Sequence, residues 1–182
     1  MKANDRRDAY TRFHSDHATT LALLVANSIE LEDSALTAIT VGGPVHDRGK
    51  IVVPDEILLK PGPLTAQERV HMEEHPVIGA AITAAVSNAD VVVDLVRHHH
   101  ERFDGRGYPG GLAGEEISLP TRLFTLADAY STMTTDRPYR KGLSAIEALD
   151  QIRLNKGTQF DPDLAKVFIE VLATEQATWK AA

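Results

Sequence analysis

Histidine is the residue type in this chain that could take part in the widest range of chemistry. The 182 residues include eight histidines and no cysteine. Without cysteine there can be no disulfide framework, zinc finger, iron–sulfur cluster or thiol nucleophile. A metal site must therefore use histidine, aspartate, glutamate, backbone groups and water. The histidines are His14, His17, His46, His71, His75, His98, His99 and His100.

The segment around His46 brings together three kinds of group that bind metals and phosphates. Asp47 follows His46 directly, and Lys50 comes three residues after Asp47 and four after His46. On a helix these spacings share one face, which would put the ammonium group beside both side chains. A carboxylate can bridge two cations, an imidazole can bind one, and an ammonium group can contact a phosphate oxygen.

A glycine-rich segment follows the histidine pair His99-His100. Four glycines lie between residues 105 and 111. Glycine lets the backbone approach a ligand closely. From the glycines alone, a ligand-binding loop and a turn-rich surface loop are equally good interpretations.

Apolar spacing and capping residues predict the elements that must position these groups. Residues 91–98 are rich in β-branched side chains, so a strand is the alternative to a helix there. We expect a short extended run at 51–54 and a long ordered loop at 101–116. Helices are predicted over 21–29, from 33 toward 41, from 65, over 77–86, 91–98 and 118–135, from 144, and from 162.

Five motifs resemble those of the HD-GYP domain, a branch of the HD phosphohydrolase superfamily. They are HDRGK at 46–50, EHP at 74–76, HHERFDGRGYP at 99–109, and LADAY with DRPYR between 126 and 140. The resemblance runs from about His14 to the C-terminal helix. It implies an all-α fold, an HD-domain helical bundle with a glycine-rich GYP loop and a metal site in its core. The implied activity is hydrolysis of the bacterial messenger cyclic di-GMP to pGpG and often on to GMP.

The resemblance also implies two divalent metal ions and a set of ligands. The early histidine of the family corresponds to His14, which stands 32 residues before His46. Asp47 corresponds to the carboxylate that bridges the two ions. The other ligands of one ion correspond to His14, His46 and Asp128, and those of the other to His75, His99 and His100.

The same comparison of motifs implies the remaining site residues. Iron or manganese is expected, and zinc or nickel also suits nitrogen and oxygen ligands. Asp47 and Lys50 are the expected catalytic residues, and Lys50, Arg137 and Arg140 match positions that contact substrate phosphates. Tyr10 replaces a glutamate that binds a third metal in some members, so two ions are expected. The GYP loop is expected to shape the mouth of the site, through Asp104, Gly105, Gly107, Tyr108 and Pro109.

Two departures from the family pattern affect the surroundings of these ligands. Gly42-Gly43-Pro44 interrupts the helix before His46, and proline inside a helix costs about 3 kcal/mol. We expect a kink, or a break with Pro44 in the first turn of a new segment. Ser131 replaces a second aspartate that follows Asp128 in the family. Because that aspartate is not usually a metal ligand, we expect the change to affect only the groups that surround the ligands.

Three histidines are left over when the motifs have been assigned. His17 lies one turn after His14, at a position where the family often has arginine. His71 lies one turn before His75, and His98 precedes the histidine pair. We expect all three to be structural or to face the solvent.

Composition and charge set limits on the organisation of the chain. With 43% apolar and 25% charged residues, residues 1–182 are expected to form one domain, with 1–13 as a lead-in helix or extension. A net charge of −7 argues against a nucleic-acid partner. No stretch is apolar enough to span a membrane, and the N-terminus lacks a secretory signal, so a cytoplasmic location is expected.

Three functions are compatible with these observations. The leading hypothesis is a metal-dependent cyclic di-GMP phosphodiesterase. The interruption before His46 motivates an alternative, a weakly active or inactive module that binds cyclic di-GMP or a partner. The third is a hydrolase of another cyclic dinucleotide. Diguanylate cyclase (GGDEF) domains on the GYP loop and a second copy of the chain in a homodimer are the expected protein partners.

Overall fold

The computed structural model describes residues 3–86, 89–136 and 141–181, and in these ranges the chain is helical. Pairing of extended backbone is limited there to two isolated bridges, which confirms the predicted all-α class. None of the described helices is both long and apolar enough to cross a membrane. The α-helices are α1 Ala3–Ser28, α2 Asp33–Thr37, α3 Asp55–Leu58, α4 Ala66–Glu73, α5 His75–Ala84, α6 Asp90–His98, α7 Leu119–Thr134, α8 Ala145–Leu154 and α9 Pro162–Ala181.

Three helices begin at the capping residues that the sequence predicts. Before α4, the amide of Glu68 donates to the hydroxyl of Thr65, and the Glu68 carboxylate accepts from the Thr65 amide. Ser144 and Glu147 form the same reciprocal pair before α8. Asp161 accepts hydrogen bonds from two amides in the first turn of α9. These bonds satisfy amide groups that the helices themselves leave without partners.

The core is built where α1 packs against α7 and α9. Ala18, Ala22 and Ala26 recur every four residues on α1 and are fully buried. Their small side chains allow the neighbouring helix to approach closely. Phe124 of α7 and Phe168 of α9 fill the core beside them. This packing brings the middle of α1 next to the middle of α7, the two places where metal ligands are predicted.

The helix before His46 is broken as the glycine–proline sequence predicts. After α2 the chain continues as a π-helical turn, Ala38–Gly42, and then as a 3₁₀ turn, Gly43–Val45, with Pro44 in its first turn. A Cβ atom on Gly43 would lie 2.4 Å from the hydroxyl oxygen of Thr19. Glycine is therefore needed for this turn to pack against α1.

The expected extended run at 51–54 is wrong for its first two residues. Arg48–Val52 forms a 3₁₀ helix, and the backbone becomes extended only at Val53. A Cβ atom on Gly49 would lie 1.9 Å from the carbonyl oxygen of His75, so this segment packs directly on α5. Tertiary packing thus outweighs the β propensity of the apolar residues.

The alternative of a strand over residues 91–98 is also wrong. The segment forms α6, and its buried side chains are Val92, Leu95 and Val96. Their spacing of three and one puts them on one helical face. The helix ends directly before the histidine pair and so directs both rings toward the interior.

Candidate metal centre

Three residues from distant parts of the chain form a first cluster. His14 comes from α1, His46 from the turn after the broken helix, and Asp128 from α7. Nε2 of His14 lies 2.8 Å from Oδ1 of Asp128, and Nε2 of His46 lies 3.5 Å from the same oxygen. The three ligand atoms are within 4.8 Å of one another, close enough to hold one metal ion.

Four residues form a second cluster, which consists of Asp47, His75, His99 and His100. Oδ1 of Asp47 lies 3.4 Å from Nε2 of His75 and 3.9 Å from Nε2 of His99. Nε2 of His75 and Nε2 of His99 are themselves 3.4 Å apart. Oδ1 of Asp47 is buried and accepts no hydrogen bond in the described structure. Because buried carboxylate oxygens rarely lack a partner, this oxygen fits a cation.

Asp47 connects the two clusters. Its second oxygen, Oδ2, lies 3.6 Å from Nε2 of His46 in the first cluster. The rings of His46 and His99 have centroids 4.9 Å apart. The structure thus brings together all seven residues named from the motifs, in the two groups that the family resemblance implies.

Backbone carbonyl groups orient three of the imidazole rings. Nδ1 of His46, His75 and His99 each donates to the carbonyl oxygen three residues earlier, at distances of 2.7, 2.6 and 2.8 Å. A carbonyl group can only accept, so Nδ1 carries a proton in each of these rings. Nε2 is then directed into the clusters as the ligand atom.

The two carboxylates remain ionised despite their burial. Burial alone raises the pKa of Asp47, but the ammonium group of Lys50 and the ring of His46 hold it well below its usual range. Burial likewise raises the pKa of Asp128, and hydrogen bonds from His14 and His46 lower it further than burial raises it. Both groups are therefore anionic at neutral pH, as metal ligands must be.

The imidazole groups of the two clusters differ in charge. Burial lowers the pKa of His46, but the nearby carboxylates of Asp47 and Asp128 overcome this and raise the pKa to about 9. Burial lowers the pKa of His100 to about 3. Burial together with His100 lowers the pKa of His99 well below its usual value. In the metal-free protein the first cluster carries a proton on His46, whereas these two rings of the second cluster are neutral.

The predicted phosphate contacts are only partly described. Nζ of Lys50 donates to Oδ2 of Asp47 over 2.6 Å, and the side chain is 28% exposed. It therefore lies at the boundary between the buried carboxylate and the solvent. Arg137 and Arg140 lie outside the described residues.

The glycine-rich loop covers the second cluster. The ring of Tyr108 stacks on that of His100, with centroids 4.9 Å apart and planes at 29°. Glu101 is buried, and its Oε1 accepts a hydrogen bond from the amide of Gly110. The peptide bond between Tyr108 and Pro109 is cis. The expectation of a long ordered loop at this position is confirmed.

An ion pair closes the first turn of this loop. Arg102 donates two hydrogen bonds to Asp104, which also accepts from the amide of Arg106. The bond from Arg102 lowers the pKa of Asp104. Gly105 has φ +74°, and a Cβ atom on Gly107 would lie 2.4 Å from the amide nitrogen of Arg102. Both glycines are therefore required by the shape of the loop.

The three remaining histidines occupy different environments. The side chain of His71 is 61% exposed. His98 is mostly buried, and its Nδ1 lies 3.5 Å from the carboxylate of Glu101. Nδ1 of His17 bonds to the hydroxyl of Ser131, which also bonds to Nδ1 of His14. Of the three, only His17 shares a hydrogen-bond partner with a residue of the clusters.

Sequence reasoning missed two polar groups beside the centre. Glu101 is buried beneath the loop, and Oγ1 of Thr125 donates to the carbonyl oxygen of His99. Thr125 lies one turn before Asp128 on the same face of α7. This spacing from Asp128 could have identified Thr125 from the sequence. Glu101 could have been identified because it directly follows the histidine pair.

Known proteins share both the sequence pattern and the fold. A profile of the HD domain family matches residues 3–164. The cyclic di-GMP phosphodiesterase PA4108 of Pseudomonas aeruginosa is 41% identical over 91% of this chain and 40% of its own length. The 3'3'-cGAMP-specific phosphodiesterase 1 of Vibrio cholerae is 36% identical over 82% of this chain and 35% of its own. The structure of Bd1817, a HDG"Y"P protein from Bdellovibrio bacteriovorus, matches with a TM-score of 0.71 at 19% identity, over 90% of this chain and 52% of that one.

This chain belongs to the HD domain family, whose profile covers most of its length. The resemblance to HD-GYP proteins that the motifs indicate is confirmed. The chain spans less than half the length of the two relatives. The His/Asp clusters could bind metal, in keeping with this family.

Proposed function

We propose that this chain is a metal-dependent phosphodiesterase that hydrolyses cyclic di-GMP to pGpG, GMP or both. The observation that carries the proposal is the pair of buried His/Asp clusters joined by Asp47. A relative with that name is 41% identical over most of this chain, which supports cyclic di-GMP as the substrate.

Two divalent ions are proposed, one in each cluster. The buried Oδ1 of Asp47, which accepts no hydrogen bond, supports a cation between it and the facing Nε2 atoms of His75 and His99. The donors are all nitrogen or oxygen, which favours iron or manganese and also allows zinc or nickel. The proposed ligands are His14, His46, Asp47, His75, His99, His100 and Asp128.

The residues of the chain divide the catalytic work in this proposal. When bound, the two ions lower the pKa of a water molecule and stabilise negative charge on the phosphodiester. Asp47 stays ionised at neutral pH and holds the two clusters together. Lys50, partly exposed beside Asp47, donates a hydrogen bond to a phosphate oxygen of the substrate. Arg137 and Arg140 are proposed as further phosphate contacts.

The proposal is tested by hydrolysis in the metal-loaded protein. Protein loaded with Mn²⁺ or Fe²⁺ is given cyclic di-GMP, and the products are separated by chromatography. We expect pGpG or GMP from the wild type and from the control His71→Ala, whose side chain is exposed. His46→Ala should lose both metal and turnover. A wild-type protein that holds two ions per chain and releases no linear product would contradict the proposal.

Another cyclic dinucleotide is the second candidate substrate. A relative named as specific for 3'3'-cGAMP is 36% identical to this chain, which makes this substrate a direct competitor. Turnover of cyclic di-GMP, 3'3'-cGAMP and cyclic di-AMP, compared at equal concentration, distinguishes them. We expect cyclic di-GMP to have the highest kcat/KM.

A module that binds without hydrolysis is less well supported. Its motivation was that Gly42-Gly43-Pro44 displaces His46 and Asp47. Both residues nevertheless lie in the clusters. Docking of a GGDEF domain on the GYP loop and formation of a homodimer stay predictions, to be tested by pull-down with Tyr108→Ala and by measurement of molar mass in solution.

A further inference from the structure

One hydroxyl group lies directly behind the first cluster. Ser131 follows Asp128 by one turn on α7, and its side chain is fully buried. Oγ of Ser131 lies 2.8 Å from Nδ1 of His14 and 3.0 Å from Nδ1 of His17. These two histidines are one turn apart on α1. A single side chain of α7 therefore contacts two rings of α1.

The hydrogen-bonding capacity of this hydroxyl is fully used. A serine hydroxyl has one proton to donate and two lone pairs. The carbonyl oxygen of His14 lies 3.3 Å from Oγ of Ser131 and accepts the proton. The two lone pairs are left to face Nδ1 of His14 and Nδ1 of His17. When a cation binds Nε2 of His14, the ring proton is on Nδ1 and is donated to Ser131. Without a cation, Nε2 of His14 lies at hydrogen-bond distance, 2.8 Å, from Oδ1 of Asp128.

His14 differs in this respect from three other proposed ligands. His46, His75 and His99 bond Nδ1 to backbone carbonyl groups, which no substitution at the accepting residue removes. His14 instead bonds Nδ1 to the side chain of Ser131, which belongs to another helix. The hydrogen bond at Nδ1 of His14 consequently depends on the identity of one residue 117 positions away in the sequence.

We propose that Ser131 is a positioning residue for metal binding at the first cluster. Its hydroxyl fixes the ring orientation of His14, accepts the Nδ1 proton when Nε2 binds a cation, and links this ring to His17. The inference rests on the proposed function, because it requires the first cluster to hold a cation. Without the hydroxyl, the His14 ring loses its partner at Nδ1 and can rotate, so that Nε2 is no longer held toward the cluster. Loss of such a partner typically lowers metal affinity by about 10–100-fold.

The test compares Ser131→Ala with a control that also removes a buried hydroxyl. In Thr83→Val the lost hydroxyl is one that donates to the carbonyl of Gly79 within α5. Competition titrations with Mn²⁺ give the affinity of each site. Nitrogen-correlated NMR of the histidine rings, recorded on metal-free and Zn²⁺-loaded protein, shows which ring nitrogen of His14 carries the proton.

The expected result is a loss confined to one site. Ser131→Ala should bind one of its two Mn²⁺ ions about 10–100-fold more weakly, and in its Zn²⁺-loaded form the signal of the Nδ1 proton of His14 should be lost or shifted. Thr83→Val should match the wild type in both measurements. Unchanged affinities and an unchanged Nδ1 signal of His14 in Ser131→Ala would overturn the inference and leave the proposed function intact. A wild type that binds no Mn²⁺ would refute the proposed function and the inference together.

Discussion

The two clusters of the centre consist of the same residue types but differ in the protonation of their histidines. In the first cluster, Asp128 contacts two imidazole groups, and the pKa of His46 is raised to about 9. In the second, His99 and His100 are neutral, and Oδ1 of Asp47 has no hydrogen-bond donor. In the first cluster, His46 is therefore protonated. In the second cluster, His99 and His100 are not, and Oδ1 of Asp47 has no hydrogen-bond partner.

The origin of this difference is the ratio of carboxylates to histidines. His46 lies near two carboxylates, and their negative charge overcomes the effect of burial on its pKa. His99 and His100 also lie near carboxylates, Asp47 and Asp128, but burial lowers the pKa of both. The carboxylates therefore outweigh burial at His46, whereas burial outweighs them at His99 and His100.

The largest expected effect comes from removing the residue that the clusters share. Asp47→Ala should abolish binding of both ions, because its two oxygens face different clusters. Turnover should fall by about 10³-fold or more, since such ions contribute several kcal/mol to catalysis. Elemental analysis and product chromatography measure the two losses. The control is Asp150→Ala, an exposed carboxylate on α8. If Asp47→Ala retained one ion at full affinity, the clusters would be independent.

A change of pH should have a smaller effect on metal affinity, and this effect should differ between the two clusters. Because the pKa of His46 is about 9 in the metal-free protein, a cation entering the first cluster must displace its proton. Between pH 6.5 and 8.5 the affinity of this site should rise by roughly tenfold per pH unit. His99 and His100 are already unprotonated in this range, so the second site should gain nothing from them.

Competition titrations with Mn²⁺ at pH 6.5, 7.5 and 8.5 measure this dependence. Two sites with equally steep pH dependence would remove the distinction between the clusters. Calorimetry in two buffers measures proton release on metal binding and provides an independent check. Binding at the first site should release the proton of His46, whereas binding at the second site should release none from His99 or His100.

The smallest effect is expected at the GYP loop. Tyr108 stacks on His100 of the second cluster, and aromatic pairs contribute about 0.5–1.5 kcal/mol. Tyr108→Leu should therefore weaken metal binding at the second site by about tenfold at most. Tyr108→Phe keeps the ring and is the matched control. In metal titrations of both variants, the affinity of the first site should be unchanged. A loss of affinity at the first site instead of the second would contradict this assignment.

Much of the centre could be predicted because its ligands occur in short motifs. His46 and Asp47 are adjacent, as are His99 and His100, so a pattern of neighbouring residues identifies them. The role of the hydroxyl of Ser131 could not be predicted in the same way. It depends on how closely α1 approaches α7, and that approach follows from alanines packed in the core.

Three of the helices were predictable from their capping residues, whereas the segment after Asp47 was not. Thr65, Ser144 and Asp161 cap the helices that follow them as expected. The segment after Asp47 was not predicted correctly, because Gly49 allows it to pack on α5 as a 3₁₀ helix. Local propensity fails there because contact with another helix decides the backbone conformation.

The central claim is that each cluster holds one divalent ion and that Asp47 joins them. Anomalous diffraction from crystals of the Mn²⁺-loaded protein, recorded above and below the manganese absorption edge, tests it directly. We expect two manganese peaks per chain, one among His14, His46 and Asp128 and the other among His75, His99 and His100, with Asp47 between them. A single peak, or peaks outside the two clusters, would contradict it.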